Sequence, residues 1–267
     1  MIARLPVALT IAGSDSGGGA GIQADLKTFQ ALGVYGMSAL TAITAQNTVG
    51  VSAVHEIPTD VIAAQIDAVL DDIGADAAKT GMLSSAEIIA TVADRVRNWG
   101  IDRLVVDPVM VAKSGDRLLR EDAVQALTQQ LLPLALVLTP NLPEAEVLVG
   151  RALNSEVEIR QAARDILELG PRAVVMKGGH RAGAARDLLF DGRDFNVFES
   201  ERFDTPNTHG TGCTFSAGIA AGLARGLSLV DAVTQAKRYV TEAIRHATPL
   251  GHGHGPVNHS WALLERV

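Results

Sequence analysis

The chain has 267 residues, 47% of them hydrophobic and 20% charged, with a formal net charge of -7. Such a length and balance suit one large domain spanning 1–267 and exclude disorder and repeat arrays, while the acidic balance without a basic patch argues against nucleic-acid or anionic-membrane partners. The single cysteine permits no intrachain disulfide, the N-terminus does not read as a signal peptide, and apolar runs such as 131–138 fall well short of the roughly 20 residues a membrane helix needs, so a soluble cytoplasmic protein is expected.

In chain order, apolar runs at 7–13, 38–45, 75–81, 103–109, 135–141 and 173–179 read as buried strands. Between them, helical periodicity covers 22–32, 59–73, 84–98, 121–132 and 155–169. This alternation predicts a three-layer α/β/α fold, with a mostly parallel central sheet and helices on both faces. Runs 187–192 and 196–203, joined by Gly192 and Arg193, read as a hairpin at the sheet edge. Helices at 214–225 and 228–248 follow, then a tail containing "GHGHG" (251–255). With three glycines and neither cysteine nor acid beside His252 and His254, that tail reads as a flexible loop rather than a metal site.

The loop after the first strand, "GSDSGGGAGIQAD" (13–25), invites a dinucleotide-binding reading, but Ile22 stands where the third glycine belongs and the second strand ends in Gln46 rather than an acid. No lysine follows a glycine, so a P-loop is also absent. Any nucleotide must be held by another loop. In open α/β sheets ligands bind beyond the carboxyl ends of the strands, which directs attention to the polar residues there.

"THGTGCTFSAG" (208–218) holds the only cysteine, between glycines and the start of a small-residue helix. Gly210, Thr211 and Gly212 before a helix N-terminus make an anion hole suited to a phosphoryl group in transfer. The same position lowers a thiol pKa, so Cys213 reads either as a base or nucleophile or as a buried small residue; the flanking glycines favour the first. Lys177, Gly178 and Gly179 in "VVMKGGH" suit phosphate oxygens. Asp107, Asn141 and Glu144, at neighbouring strand ends, suit a hydrated Mg²⁺, although Asn141 and Glu144 are equally a helix cap and its dipole partner. Gln46 offers the paired donor and acceptor that an aminopyrimidine edge requires.

The strings "IAGSDSGGGAGIQADLKTFQALGVYGMSALTAITAQNT", "KTGML", "VVDPVMVAKSG", "TPNLPEAEVL", "VVMKGGH" and "THGTGCTFSAGIA" together resemble the hydroxymethylpyrimidine and phosphomethylpyrimidine kinases, members of the ribokinase-like superfamily. The resemblance implies an enzyme of thiamine biosynthesis, using ATP and Mg²⁺ to phosphorylate 4-amino-5-hydroxymethyl-2-methylpyrimidine and then its monophosphate. It implies that Gly13, Ala20, Met82 and Val109 line the pocket read by Gln46. Lys177 and the Gly210–Cys213 turn would hold ATP phosphates, with Asp107, Asn141 and Glu144 around Mg²⁺. The loop 110–119 would be a flap with Lys113 over the transferring phosphate, and Cys213 would stand where superfamily sugar kinases place an aspartate base. A homodimer through residues 38–57 is also implied. Pyridoxal kinase is the alternative within the superfamily, and a non-catalytic pyrimidine sensor is a remote one.

Overall fold

The computed structural model describes residues 4–110, 121–178 and 184–264. The first half runs β1 (Val7–Ala12), α1 (Gly21–Ala31), β2 (Tyr35–Leu40), β3 (Ala42–Gln46), β4 (Val51–Glu56), α2 (Thr59–Asp72), β5 (Ala77–Thr80), α3 (Ala86–Asn98) and β6 (Leu104–Val106). Then come α4 (Glu121–Ala126), which continues through a π turn and a 3₁₀ turn to Leu134, β7 (Val137–Leu138), α5 (Leu142–Val149), α6 (Glu156–Leu167) and β8 (Val174–Lys177). The hairpin β9 (Ala185–Phe190) and β10 (Phe195–Ser200) precedes α7 (Thr211–Ala224), α8 (Leu229–Arg245) and α9 (Trp261–Leu264).

Eight strands form one sheet in the order β10-β9-β8-β7-β6-β5-β1-β2, parallel from β8 to β2, with β9 and β10 antiparallel at one edge. Near-continuous apolar strands belong in such a sheet, because helices cover both faces. Residues of α2 to α6 build the core on one face, and those of α1, α7 and α8 build it on the other. Several helix starts are set by oxygen caps: Ser85, Ser155 and Ser228 each accept a backbone N-H from the first turn.

The run 38–45 is not one strand. Thr41 is buried, its N-H donates to Ala12 O and its Oγ1 to Met82 O, so the chain leaves the main sheet there. β2 stays at the edge beside β1, whereas β3 pairs with β4 in a separate two-stranded sheet. β4 is exposed along its whole length, and its pattern therefore carries no core-facing alternation to read. Helix α7 also begins at Thr211 rather than 214, which moves Cys213 into its first turn.

The tail 251–257 is likewise docked rather than loose. Gly253 and His254 donate backbone N-H groups to Thr48, and the 255–257 segment exchanges backbone hydrogen bonds with His209. It straps together the turn after Gln46 and the approach to α7.

Candidate active site

The carboxyl ends of β1, β5, β6, β7 and β8 open toward the N-terminus of α7. Helix α7 is capped by Gly210 at φ 81°, a conformation that L side chains rarely adopt. A Cβ at Gly210 would stand 1.7 Å from Gly19 O, so the two glycine-rich loops interlock there. Gly210→Ala is expected to lower unfolding free energy by about 3–5 kcal/mol, from the combined backbone strain and overpacking, measurable by urea denaturation. A loss under about 1 kcal/mol would mean the loops part easily.

Thr211 Oγ1 donates to Thr208 O at 2.7 Å, fixing the first turn. Beside it Gly212 faces Lys177 and Asp107: a Cβ on Gly212 would lie 3.4 Å from Lys177 Nζ and 3.7 Å from Asp107 Oδ2. Lys177 Nζ donates to Asp107 Oδ1 at 2.9 Å. Burial opposes the Lys177 charge, but Asp107 and then Glu144 hold its pKa above the ordinary lysine value. Burial likewise opposes the Asp107 carboxylate, which Lys177 and then Lys79 hold low, with Ser216 Oγ donating at 3.3 Å.

Glu144 is raised, first by burial and, against the help of Lys177, by the like charge of Asp107. Two neighbouring buried carboxylates that repel in this way suit a divalent cation with its own waters. Asn141 and Glu144 also make the cap that the sequence offered as the alternative: Asn141 Oδ1 accepts the Glu144 N-H while Glu144 Oε2 accepts the Asn141 N-H, a capping box, and Glu144 Oε1 accepts the Met110 N-H at 3.3 Å. Both side chains thus also serve the start of α5, because a helix beginning at a buried strand end must satisfy its first amides locally.

Cys213 requires a correction. The helix N-terminus should favour thiolate, yet burial pushes the thiol from 9.0 up to about 11, with Lys79 opposing, Asp25 and Asp107 adding to the rise, and the Gly21 N-H to its sulfur working the other way. Desolvation of the thiolate outweighs the favourable dipole and ammonium. Far less of the Cys213 thiol is ionised near neutrality than of an unperturbed thiol. Alkylation of Cys213 by iodoacetamide, followed by mass spectrometry, should therefore keep rising about tenfold per pH unit between pH 6.5 and 9.5. A plateau below pH 8 would show a depressed thiol instead.

Beneath this turn lies a buried ion pair whose lysine is one of the polar strand-end residues, although nothing in the sequence pointed to its partner. Lys79 Nζ donates to both Asp25 oxygens at 3.0 and 2.8 Å, both side chains are 0% exposed, and Thr10 Oγ1 donates to Asp25 at 2.6 Å. A lysine inside the apolar run "AAKT" was the available signal, but its partner is 54 residues away.

On the other side of the cleft, Gly13 lies against Met82, whose methyl would be 2.6 Å from a Cβ there. The buried Asp15 carboxylate accepts the N-H groups of Gly17, Gly19 and Ala20, and His209 Nε2 lies 2.8 Å from its Oδ2. Since a carboxylate only accepts, His209 donates that bond. Gln46 Nε2 lies 3.4 Å from the same ring nitrogen, which as a donor cannot accept from it, and the Thr44 hydroxyl 3.4 Å from Gln46 Oε1 already donates to Ser14 O at 2.8 Å, so the amide is only weakly engaged. Val109 carries φ 39°, a strained value for a β-branched residue, two positions after Asp107. Asp15 is one of the polar strand-end residues to which the sequence drew attention, whereas His209, inside the glycine-rich string 208–218, was not picked out.

Gly178 is held differently from expectation. Its N-H donates to Asp187 Oδ1 at 3.0 Å, and a Cβ there would stand 2.1 Å from Arg186 O. Close approach to β9 accounts for the glycine. Gly179, Lys113 and the flap segment 111–119 lie outside the described residues.

The family described as phosphomethylpyrimidine kinase matches residues 15–258. The hydroxymethylpyrimidine/phosphomethylpyrimidine kinase of Rhizobium meliloti is 57% identical over 257 residues, 95% of this chain and 96% of that one. The thiamine biosynthesis bifunctional protein ThiED of Geobacter sulfurreducens is 56% identical over 94% of this chain, which spans only about half (51%) of its length. Among solved structures, an ADP complex of Bacillus subtilis pyridoxal kinase superposes with a TM-score of 0.90 at 45% identity, covering 98% of this chain and 100% of that one. Fold, strand-end site and end-to-end similarity agree: this chain belongs to the phosphomethylpyrimidine kinase family.

Proposed function

We propose that this enzyme transfers the γ-phosphoryl group of ATP to the hydroxymethyl group of 4-amino-5-hydroxymethyl-2-methylpyrimidine, and then a second phosphoryl group to the resulting monophosphate, in thiamine biosynthesis. The observation that carries the reading is the Lys177–Asp107 pair facing the glycine N-terminus of α7 in a chain of this family. A fixed cation and a helix start aimed at one point stabilise charge developing on a phosphoryl group.

Lys177, with Thr211, Gly212 and the rest of the Gly210–Cys213 turn, would receive the transferring phosphate. Asp107 and Glu144 would hold Mg²⁺ through their carboxylates and its waters, with Asn141 shaping the start of α5 that carries Glu144. Bound there, Mg²⁺ would screen the triphosphate. Gln46, weakly engaged by protein partners, would read the aminopyrimidine edge, with Gly13, Ala20, Met82 and Val109 around the ring. One domain over 1–267 carries all of this. The need for ATP supports a cytoplasmic location.

A coupled assay with ATP and Mg²⁺ tests the proposal. Mono- and diphosphate should appear in succession from the pyrimidine alcohol, and failure to form either would overturn the assignment. The 45% identity to a pyridoxal kinase supports a second reading, side activity on pyridoxal, decided by comparing kcat/KM on the two alcohols in the same preparation.

We also propose a homodimer through the β3–β4 hairpin. Ile43, Val49, Val51 and Val54 are 49% to 73% exposed on this one unit, a patch suited to covering by a second copy. Val51→Asp with Val54→Asp should shift sedimentation from dimer to monomer; a wild-type monomer would rule the arrangement out.

A further inference from the structure

Asp187 and Lys237 belong to none of the motifs above, yet they form a buried ion pair directly behind the Lys177 turn. Asp187 stands opposite Lys177 in the β8–β9 ladder. Its Oδ1 accepts the Gly178 N-H at 3.0 Å, and its Oδ2 accepts from Lys237 Nζ of α8 at 2.7 Å. The side chains are only 9% and 11% exposed. Lys177 is held from its other flank too, where its N-H donates to Pro140 O and its backbone bridges to Asn141.

A neutral acceptor would have sufficed to hold one amide, and desolvating two charges for that purpose is costly. A carboxylate makes a shorter and stronger bond to an N-H than a neutral oxygen does, so the Gly178 turn gains rigidity from the charge. A lone carboxylate directly across the ladder from the phosphate-side lysine would also repel a triphosphate in this poorly solvated wall. Lys237 cancels that field from behind while leaving Oδ1 on the amide.

We propose that the Asp187–Lys237 pair is a nucleotide-positioning device, locking the Lys177–Gly178 turn while keeping that wall electrically neutral, so that it governs ATP use and not pyrimidine binding. The inference rests on Lys177 being the phosphate-side cation. Neither residue touches the reacting atoms; both act through Lys177 and Gly178.

Lys237→Met leaves Asp187 uncompensated. It should raise KM for ATP by about tenfold or more, with the excess growing as ionic strength falls. The Kd for the pyrimidine alcohol, measured by calorimetry, should stay within about twofold of wild type. Asp187→Asn combined with Lys237→Met removes both charges but keeps an oxygen for the Gly178 N-H, and should recover KM for ATP to within about threefold. Asp187→Ala with Lys237→Met, lacking that oxygen, should stay impaired. If Lys237→Met does not fold, the two double variants carry the same comparison.

An unchanged KM for ATP in Lys237→Met, an equal loss of ATP and pyrimidine affinity, or two double variants that behave alike would overturn the proposal. Should Lys177→Ala in the otherwise wild-type protein leave transfer intact, the assignment of Lys177 fails first, whatever the pair does.

Discussion

Lys177→Ala is expected to lower kcat for phosphoryl transfer by about 10²–10³ while leaving pyrimidine affinity nearly unchanged. Two losses combine. The ammonium facing the α7 N-terminus no longer meets the charge that spreads over the transferring group, which alone is worth about 3–4 kcal/mol at a preorganised site. Asp107 also loses its 2.9 Å partner, and the like-charge repulsion with Glu144 goes unopposed from that side. The Asp107 carboxyl should then titrate higher, since Lys177 is the leading charge that holds it down. Steady-state kinetics with ATP and calorimetry with the pyrimidine alcohol separate these effects. Collapse of pyrimidine affinity in this variant would put Lys177 on the wrong side of the cleft.

Cys213→Ser should slow the first transfer far more than the second. The first acceptor is a primary alcohol with a pKa far above neutrality, for which a base that takes its proton contributes about 10²–10⁴ in rate. The second is a phosphate monoester whose second pKa is about 6, so it is already largely ionised and needs only orientation and screening. The pH dependence sharpens the test. With the thiol pushed up to about 11, the thiolate fraction rises throughout the accessible range, so the wild-type rate on the alcohol should climb with pH. The rate on the monophosphate should level off once that acceptor is ionised, above about pH 7. Serine, whose hydroxyl does not ionise in this range, should abolish the climb. Equal losses on both acceptors, with parallel pH profiles, would leave Cys213 a packing residue of the anion hole.

Much of the fold was legible in the sequence. Alternating apolar runs and amphipathic helices specify a mostly parallel sheet covered on both faces, because a strand buried on both sides must be apolar throughout and a covering helix apolar on one stripe. The hairpin after β8 was visible from its turn residues, and the Gly210–Cys213 turn from glycines set before a helix start. The resemblance supplied the family and its kinase activity, and the family match bears those out.

What stayed hidden was the identity of partners. Lys79 and Asp25 are 54 residues apart, Asp187 and Lys237 are 50, and Asp15 and His209 are 194. Periodicity reports which face of an element is apolar, but not which distant charge will meet a buried one. The break at Thr41 and the exposed β4 were missed for the opposite reason, since nothing in a solvent-facing strand compels alternation.

By itself, then, the sequence determined the layers and the strand ends where a site must lie, which follow from local periodicity and short-range spacing, while its motif strings, by resemblance, pointed to the family. Only the tertiary structure decided that Asn141 and Glu144 cap the start of α5 together, that Gly178 gives its amide to Asp187, and that the Cys213 thiol is raised rather than lowered. Each of those depends on how far burial strips water from a charged or polar group and on which partner replaces it, and both are properties of the packed interior.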